Sequence, residues 1–489
     1  MFLSRMLTAA LAYVGLYFMT RPPLGPEIYG TLSYTIAFVA TFNAVSDLGF
    51  SSAHIKKMSE GADPDECIST FAAIKLVLTG LMVVLTLSSV FVWTSVFGNV
   101  LTDTSIDLIL LFVLYQVLYD ISSIATFTFQ AKMEMAKMPL VTLVDPLVRL
   151  PLVILVAMTA GGVMELAYAY VLGAIAVVLL AMYLLFREGV KWKRPVLWRS
   201  YYNFALPLII ITIISAVSGN ADKLILGAFW TTTDVGLYTA PAVFLGVFAT
   251  VSTAVSTLTF PSFSRLHAEG NLEEIRQTSK RAERYITMIG LPITLLIIMF
   301  PYAVCEVLLG PLFIRSGDAI GIMAVTNFLV MLNAVHSSQI VAVGRPDISA
   351  RITIFTVIVN ISMMLLFIPQ DGLGLGFVGA AMALLTGNIL SFMLVRSSVW
   401  RLTRTAPNVR LSLHLVAGLV TMGALFALDL LISIDRFYTL ILFGLMAFAV
   451  YLPVLALLKE FTREDLNYFM ELINLKKMFS YIGSELRGK

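Results

Sequence analysis

The chain has 489 residues, of which 59% are hydrophobic and 13% are charged, and its mean hydropathy is +0.90. Soluble globular proteins use about 45–50% apolar and about 25% charged residues, so this composition excludes that class. Apolar runs of about 20 residues recur from end to end, which predicts an all-α polytopic membrane protein. A transmembrane barrel is excluded, because its strands alternate apolar and polar residues in segments of about 10. The formal net charge of +3 by itself does not indicate a class of partner, and the placement of the charged residues along the chain is more informative.

The cysteines and histidines show no spacing typical of a cofactor or metal site. Cys67 lies in a polar stretch and Cys305 in an apolar run, so the sequence predicts no disulfide. The histidines are scattered without the spacing of metal ligands, and we therefore predict no metal site and no cofactor.

About fourteen apolar spans can be placed along the chain, the first at its N-terminus and another over residues 285–309. Lys and Arg test this arrangement because they concentrate in cytoplasmic connections. Six basic residues do not fall in the inner connections. Arg21, Arg315 and Arg436 lie in outer segments, and Lys75, Arg149 and Lys223 lie within spans. All other Lys and Arg residues fall in alternate connections, which predicts that both termini are cytoplasmic. We expect a multi-pass protein of the plasma membrane.

Two inner segments look amphipathic rather than membrane-spanning. In the loop 264–283, Asn271 is placed to cap a helix that feeds the next span. The tail after Lys459 opens with a capping-box-like Thr462 and predicts a short helix on the bundle or on the cytoplasmic leaflet.

Two similar segments indicate an internal repeat. Residues 24–30 (LGPEIYG) and 232–238 (TTDVGLY) each begin a span on the outer side, about 205–210 residues apart, and each such span ends in a basic inner loop. Because both copies run in the same direction, they predict a parallel repeat of two six-helix lobes. The predicted divisions are an N-lobe over 1–190 (spans 1–6), a C-lobe over 200–400 (spans 7–12), two extra helices over 410–458 (spans 13–14), and an amphipathic cytoplasmic tail over 459–489.

Four stretches together carry a family resemblance. They are residues 24–30 followed by 47–49 (DLG), 221–227 (ADKLILG) followed by 235–238 (VGLY), 260–265 (FPSFSR) with the turn at 269–270, and 344–347 (GRPD) followed by 368–369 (IP) and 379–383 (GAAMA). In this order and spacing, the chain resembles the polysaccharide-biosynthesis flippases, which are lipid-linked oligosaccharide exporters of the multidrug/oligosaccharidyl-lipid/polysaccharide superfamily.

The resemblance implies a fourteen-helix, two-lobed fold. It also implies movement of a polyprenyl- or dolichyl-(pyro)phosphate-linked glycan from the cytoplasmic to the outer leaflet. Such a substrate has an anionic head, so its site needs cations for phosphate and polar groups for sugar. We expect a transporter rather than an enzyme, working by alternating access with a head-group cavity between spans 1, 2, 7 and 8.

Lys223, Arg149, Lys75, Arg21 and Asn220 are the candidates for binding the phosphate and glycan. Each basic residue also has a structural alternative. Lys75 is near the inner end of its span and could snorkel to the interface, Arg149 could pair with Asp145 four residues earlier, and Arg21 could anchor the outer interface.

Asp120, Asp222, Asp145 and Asp47 are the candidates for ion coupling or charge balance. Asp120 lies near the middle of its span and could instead neutralise one of the cations. Asp47 could simply shape the turn that contains Gly49.

Asn333, His336 and Gln339 form a polar stripe by their i, i+3 and i+6 spacing on one helix. Such a stripe is either a cavity wall or a set of contacts between helices, and the sequence leaves both open.

The expected partners are a lipid-linked glycan, the bilayer, and polysaccharide polymerase or glycosyltransferase machinery, with no nucleic acid and a monomeric state. The nearest alternative is a cation-coupled multidrug exporter of the same superfamily, whose cationic substrates favour carboxylates. A membrane glycosyltransferase or polymerase is a remote alternative, because the loops are short and carry no cluster of catalytic carboxylates.

Overall fold

The computed structural model describes residues 2–96, 103–134 and 137–461. Within these ranges the chain forms sixteen α-helices and one 3₁₀ helix, Pro311–Ser316, and no β-strand. The α-helices are Phe2–Met19 (α1), Pro26–Asp47 (α2), Phe50–Ser59 (α3), Pro64–Val96 (α4), Asp103–Ala131 (α5), Lys137–Met158 (α6), Val163–Arg187 (α7), Trp198–Phe229 (α8), Thr232–Ala268 (α9), Leu272–Met299 (α10), Pro301–Leu309 (α11), Gly317–Ala342 (α12), Pro346–Phe367 (α13), Gly376–Thr403 (α14), Leu411–Asp429 (α15) and Phe437–Leu457 (α16).

Most of these helices are suited to a bilayer. Thirteen of them are long and apolar enough to cross a membrane, and α1 contributes a shorter apolar stretch, Leu7–Met19. Large apolar side chains of these helices also point away from the protein, as Leu419 of α15 and Leu445 of α16 do at 68% and 65% exposure. Such exposure is unfavourable in water and favourable in lipid, so the all-α polytopic membrane fold is confirmed.

The segment around Asn271 folds as predicted, whereas the span that follows it is broken. The Asn271 side chain accepts a hydrogen bond from the backbone N–H of Glu274 at 3.1 Å, and α10 then runs without interruption to Met299. The predicted span 285–309 is divided between α10 and α11 at Phe300 and Pro301. Pro301 lacks the backbone N–H that a continuous helix would use there and begins α11 instead. The predicted tail helix from Thr462 lies outside the described residues.

The helices pack into two compact units whose sequences interleave. Unit 1 comprises Met1–Gly246, Leu308–Thr326 and Ala350–Ser391, and unit 2 comprises Val247–Val307, Asn327–Ser349 and Phe392–Lys489. The two lobes expected from the repeat follow chain order, and that division remains a prediction.

Unit 1 is built on two hydrophobic clusters. One joins α2 to α5, α6 and α7 and is centred on fully buried Leu32, Phe112 and Leu166. The other includes Phe71, Phe129 and residues of α7 and α8. These clusters pack α4, α5 and α6 together, which are the helices that carry Lys75, Asp120 and the pair Asp145 and Arg149.

The connection from α7 to α8 is fastened to the start of α4. Lys193 donates to the carboxylate of Asp63 at 2.6 Å, and its backbone N–H donates to Ser69 at 2.8 Å. The hydrogen bond from Lys193 and one from the Glu66 backbone lower the pKa of Asp63. The start of α8, the helix that bears Lys223, is therefore held near the start of α4 within unit 1.

The two repeat segments meet at a close glycine contact within unit 1. A methyl group on Gly30 of α2 would overlap the carbonyl oxygen of Thr232, the first residue of α9. A methyl group on Gly236 of α9 would overlap the carbonyl oxygen of Pro26, the first residue of α2. The contact is therefore reciprocal, as a pseudo-two-fold axis between equivalent segments requires. Each repeat segment has glycine because the opposing backbone leaves no room for a side chain.

Unit 2 packs α10 against α15 and α16. Its core includes Met288 and Leu291 of α10, Ala417 of α15, and Tyr451 and Leu455 of α16. This packing brings the basic first half of α10 beside the connection between α14 and α15.

Candidate functional site

Lys75 and Asp120 form a buried ion pair between α4 and α5. The Lys75 ammonium lies 2.9 Å from Oδ1 of Asp120, and each residue is only 4% exposed. Lys75 also donates to Ser46 of α2 at 3.2 Å, and Thr79 donates to Oδ2 of Asp120 at 3.2 Å. Lys75 does not snorkel in this structure. Its charge is neutralised inside unit 1 by the carboxylate that the sequence analysis had named as a neutralising partner.

Arg149 and Asp145 form a second pair on one face of α6. The guanidinium lies 2.9 Å from Oδ2 of Asp145, and its carbon lies 4.3 Å from the centre of the Tyr170 ring on α7. Asp145 fits because α7 has Gly173 opposite, where a methyl group would come within 2.5 Å of Oδ1. The spacing of four residues that suggested this pair is therefore realised.

Arg149 also lines a cavity within unit 1. The cavity has a volume of about 140 Å³, and its walls include Leu11 and Leu16 of α1, Tyr29 of α2 and Tyr170 of α7. The Arg149 side chain is 22% exposed, whereas that of its partner Asp145 is 7% exposed. The cavity therefore presents a cation and aromatic rings against an apolar wall.

Asp222 and Lys223 are neighbours on α8 with different surroundings. One carboxylate oxygen of Asp222 accepts a hydrogen bond from the Lys223 backbone N–H at 2.9 Å, and the other accepts one from the Tyr238 hydroxyl at 3.0 Å. Within the described residues, the Lys223 ammonium makes no ion pair with a carboxylate. Asn220 donates back to the carbonyl of Ala216 at 3.1 Å. Lys223 thus differs from Lys75 and Arg149, whose charges have acidic partners.

Two further candidates are engaged in local contacts. The Arg21 guanidinium lies 3.5 Å from the centre of the Tyr17 ring and donates to the Tyr17 carbonyl at 3.1 Å. Asp47 accepts hydrogen bonds from the backbone N–H of Ser51 at 3.1 Å and from the Ser51 hydroxyl at 2.9 Å. Asp47 therefore caps the first turn of α3, which fits the structural alternative stated for it.

The polar stripe of α12 joins helices of unit 2. His336 lies 2.6 Å from the carboxylate of Glu283 on α10, and Arg396 of α14 donates to the same carboxylate at 2.8 Å. Glu283 and His336 are 1% and 0% exposed. This three-residue network connects three helices in the interior of unit 2.

Gln339 extends these contacts by one turn. Its amide accepts from Ser279 at 2.9 Å and donates to Thr403 and Thr405 at 2.8 Å and 3.0 Å. Asn333 is 9% exposed, and its Oδ1 is buried without a hydrogen bond. His336 and Gln339 therefore act as contacts between helices, whereas Asn333 retains an unused acceptor.

Two residues of this network were absent from the sequence candidates. Glu283 was assigned to the inner loop and Arg396 to a basic inner connection, because both lie near predicted span ends. The available signal was that Ser279, Glu283 and Ile286 recur at helical spacing, so Glu283 falls on the buried face of α10.

The fold and these charges define a polytopic helical membrane protein with paired ionisable groups in the interior of each unit. The sequence profile of the polysaccharide biosynthesis protein family matches residues 19–318. That is more than half of the chain, and the chain belongs to this family.

A relative and two solved structures extend the comparison. The chain is 23% identical over 385 residues to a protein of Haloferax volcanii named "Probable low-salt glycan biosynthesis flippase Agl15", covering 78% of each chain. The fold of the present chain is similar to that of the lipid II flippase MurJ, with a TM-score of 0.75 and 12% sequence identity. The match covers 92% of this chain and 97% of the MurJ chain. The fold is also similar to that of a multidrug resistance MATE family transporter, with a TM-score of 0.64 and 17% identity over 82% and 96% of the two chains.

Proposed function

We propose that this protein is a flippase that moves a lipid-linked oligosaccharide from the cytoplasmic to the outer leaflet for the synthesis of a surface polysaccharide or glycoconjugate. The carrier would be a polyprenyl or dolichyl phosphate or pyrophosphate. Family membership and the printed name of the Haloferax volcanii relative support this assignment. The observation that carries the mechanism is the cavity that exposes Arg149 inside unit 1.

The charge arrangement suits an anionic head group. Ionisable groups within a membrane are costly and mark substrate or ion pathways. Lys75 is fully engaged by Asp120, so it contributes little free charge to a ligand. Arg149 keeps part of its guanidinium on the cavity wall, and Lys223 has no carboxylate partner among the described residues. Arg149 is therefore the residue that we assign to phosphate in this cavity, and Lys223, which is not among the cavity's lining residues, is a second proposed cation for the head group.

The cavity volume limits what can lie beside Arg149. At about 140 Å³ the cavity is small, so a phosphate group is a better fit for it than an oligosaccharide. Tyr29 and Tyr170 provide aromatic surface next to that position. In this proposal the phosphate is held at Arg149, and the glycan and lipid tail extend away from the cavity.

The acidic residues have separate roles in the proposal. Asp120 and Asp145 balance the charges of Lys75 and Arg149, while Asp222 is oriented by Tyr238. Arg21 and Asn220 remain proposed contacts for the glycan or its phosphate. Movement by alternating access of two six-helix lobes also remains a prediction, as do the plasma-membrane location, the cytoplasmic termini, the monomeric state and the association with polymerase or glycosyltransferase machinery.

A transport assay with two substrate classes tests this function. The purified protein is reconstituted into proteoliposomes containing a polyprenyl-diphosphate-linked oligosaccharide, and an added glycosidase reports how fast the glycan crosses the bilayer. A parallel set is loaded with a cationic dye and given a sodium or proton gradient. We expect glycan crossing well above that of protein-free liposomes and no gradient-driven dye efflux. Dye antiport without glycan crossing would instead identify a multidrug-type exporter.

A further inference from the structure

A basic cavity lies in unit 2, apart from the charged residues assigned to transport. It has a volume of about 600 Å³ between the first half of α10, the connection from α14 to α15, and the residues that follow α16. Its charged lining residues are Lys280, Arg281, Arg284, Arg410 and Glu460. Four basic side chains therefore face a cavity with one carboxylate among its described lining residues.

The one carboxylate is shared and does not neutralise this cavity. Glu460 is fully buried, with Arg284 at 3.9 Å and Arg410 at 3.4 Å from its oxygens. Arg281 pairs with Glu274, which is outside the lining. The Lys280 ammonium has no ion pair with a carboxylate in the part of the chain that the structure describes. Among the described lining residues, basic side chains therefore outnumber acidic ones by four to one.

An apolar cavity adjoins the basic one. It has a volume of about 410 Å³ and is lined by Leu291 of α10, Phe328 and Leu332 of α12, and Leu415 of α15. Asn408 and Val409 belong to the walls of both cavities. Moving along α10, the lining changes from basic at Lys280 and Arg284 to apolar at Leu291, so the two cavities form one surface with a charged end and an apolar end.

We propose that this surface binds an anionic membrane lipid, with its phosphate in the basic cavity and an acyl or prenyl chain in the apolar cavity. Lys and Arg bind phosphate by charge-assisted hydrogen bonds. Basic pockets between membrane helices are suited to anionic head groups. A free phosphate ion would use the basic cavity alone and would leave the adjoining apolar surface without an occupant. The proposal concerns binding only and does not depend on the proposed transport.

Native mass spectrometry of the purified full chain in detergent tests the proposal. The protein is titrated separately with dioleoyl phosphatidylglycerol, dioleoyl phosphatidylcholine, a short polyprenyl phosphate and inorganic phosphate. We expect at least one of the two anionic lipids to bind about 10-fold more tightly than phosphatidylcholine, because the choline cation of phosphatidylcholine cancels the charge of its phosphate. Binding of phosphatidylglycerol alone assigns the site to bilayer phospholipid, and binding of polyprenyl phosphate alone assigns it to a carrier lipid.

Variants locate the binding. Lys280→Gln removes a cation that has no acidic partner, so it leaves no buried carboxylate uncompensated, and Arg410→Gln supplies a second variant. Each should weaken binding of the anionic lipid about 10-fold. Arg345→Gln is the matched control, because Arg345 is an exposed residue of unit 2 that pairs with Asp347 outside both cavities. Equal affinity for phosphatidylcholine, binding of inorganic phosphate alone, or unchanged affinity in Lys280→Gln would overturn the proposal.

Discussion

The ion pair between Lys75 and Asp120 is buried from both solvent and lipid. Breaking it should therefore change the free energy of unfolding by a measurable amount. Removing one member of a buried pair leaves an uncompensated charge and costs about 3–5 kcal/mol, whereas replacing both with apolar residues of similar size is often neutral. We therefore expect the pair to stabilise the packing of α4 against α5 and to have no direct role in binding the transported substrate.

We predict that Lys75→Met and Asp120→Leu each lower the midpoint of thermal unfolding in detergent, and that the double variant recovers most of the loss. Lys56→Met is the control, because its pair with Glu60 is 3.7 Å long and its side chain is 50% exposed. Exposed pairs contribute about 0–1 kcal/mol, so this control should unfold close to the parent. Two single variants that unfold like the control would show that the pair has no structural role.

At the residue scale, the sequence identified charged positions better than it identified their partners. The separation of Asp145 and Arg149 by four residues predicts their pairing, because one helix determines it. The contact of His336 with Glu283 and Arg396 depends on three helices that are distant in the sequence. Such a contact follows from tertiary packing, and helical spacing along one helix cannot specify it.

At the scale of helices, the contact between α2 and α9 depends on glycine at two equivalent positions. The backbones of residues 26–30 and 232–236 approach until no side chain fits between them. The sequence showed these segments as a repeat, but their direct contact became evident only in the structure. The two similar segments thus pack directly against each other, and their similarity also indicates a duplication.

We predict that Gly30→Ala and Gly236→Ala each destabilise the protein by about 1–3 kcal/mol, because the methyl group must displace an opposing backbone carbonyl. Gly80→Ala on α4 is the matched control, since a methyl group there meets no atom within 4 Å. Alanine favours helix over glycine by about 1 kcal/mol, so the control should be neutral or more stable. Thermal unfolding in detergent compares the three, and equal midpoints would contradict the close contact.

At the scale of the whole molecule, composition and the length of the apolar runs were sufficient to predict an all-α polytopic membrane fold. Hydropathy works well in this setting because a bilayer requires each spanning segment to satisfy its own backbone hydrogen bonds. The break between α10 and α11 was missed, because Phe300 and Pro301 continue an apolar run even though Pro301 ends the helical hydrogen bonding. The interleaving of the two compact units depends on packing between distant segments, which the order of spans along the sequence does not specify.

Two cations of unit 1, Arg149 and Lys223, are proposed to bind the phosphate of a lipid-linked glycan during transport. The most direct measurement is the initial rate of glycan crossing in proteoliposomes for the double variant Arg149→Gln, Lys223→Gln. Lys56→Gln combined with Arg345→Gln removes the same charge at exposed positions and serves as the control.

Loss of charge-assisted hydrogen bonds to phosphate should slow the Arg149 and Lys223 double variant by at least about 10-fold, with the control near the parental rate. Thermal unfolding midpoints of both proteins establish that they are folded. A folded double variant that moves the glycan at the parental rate would contradict the claim.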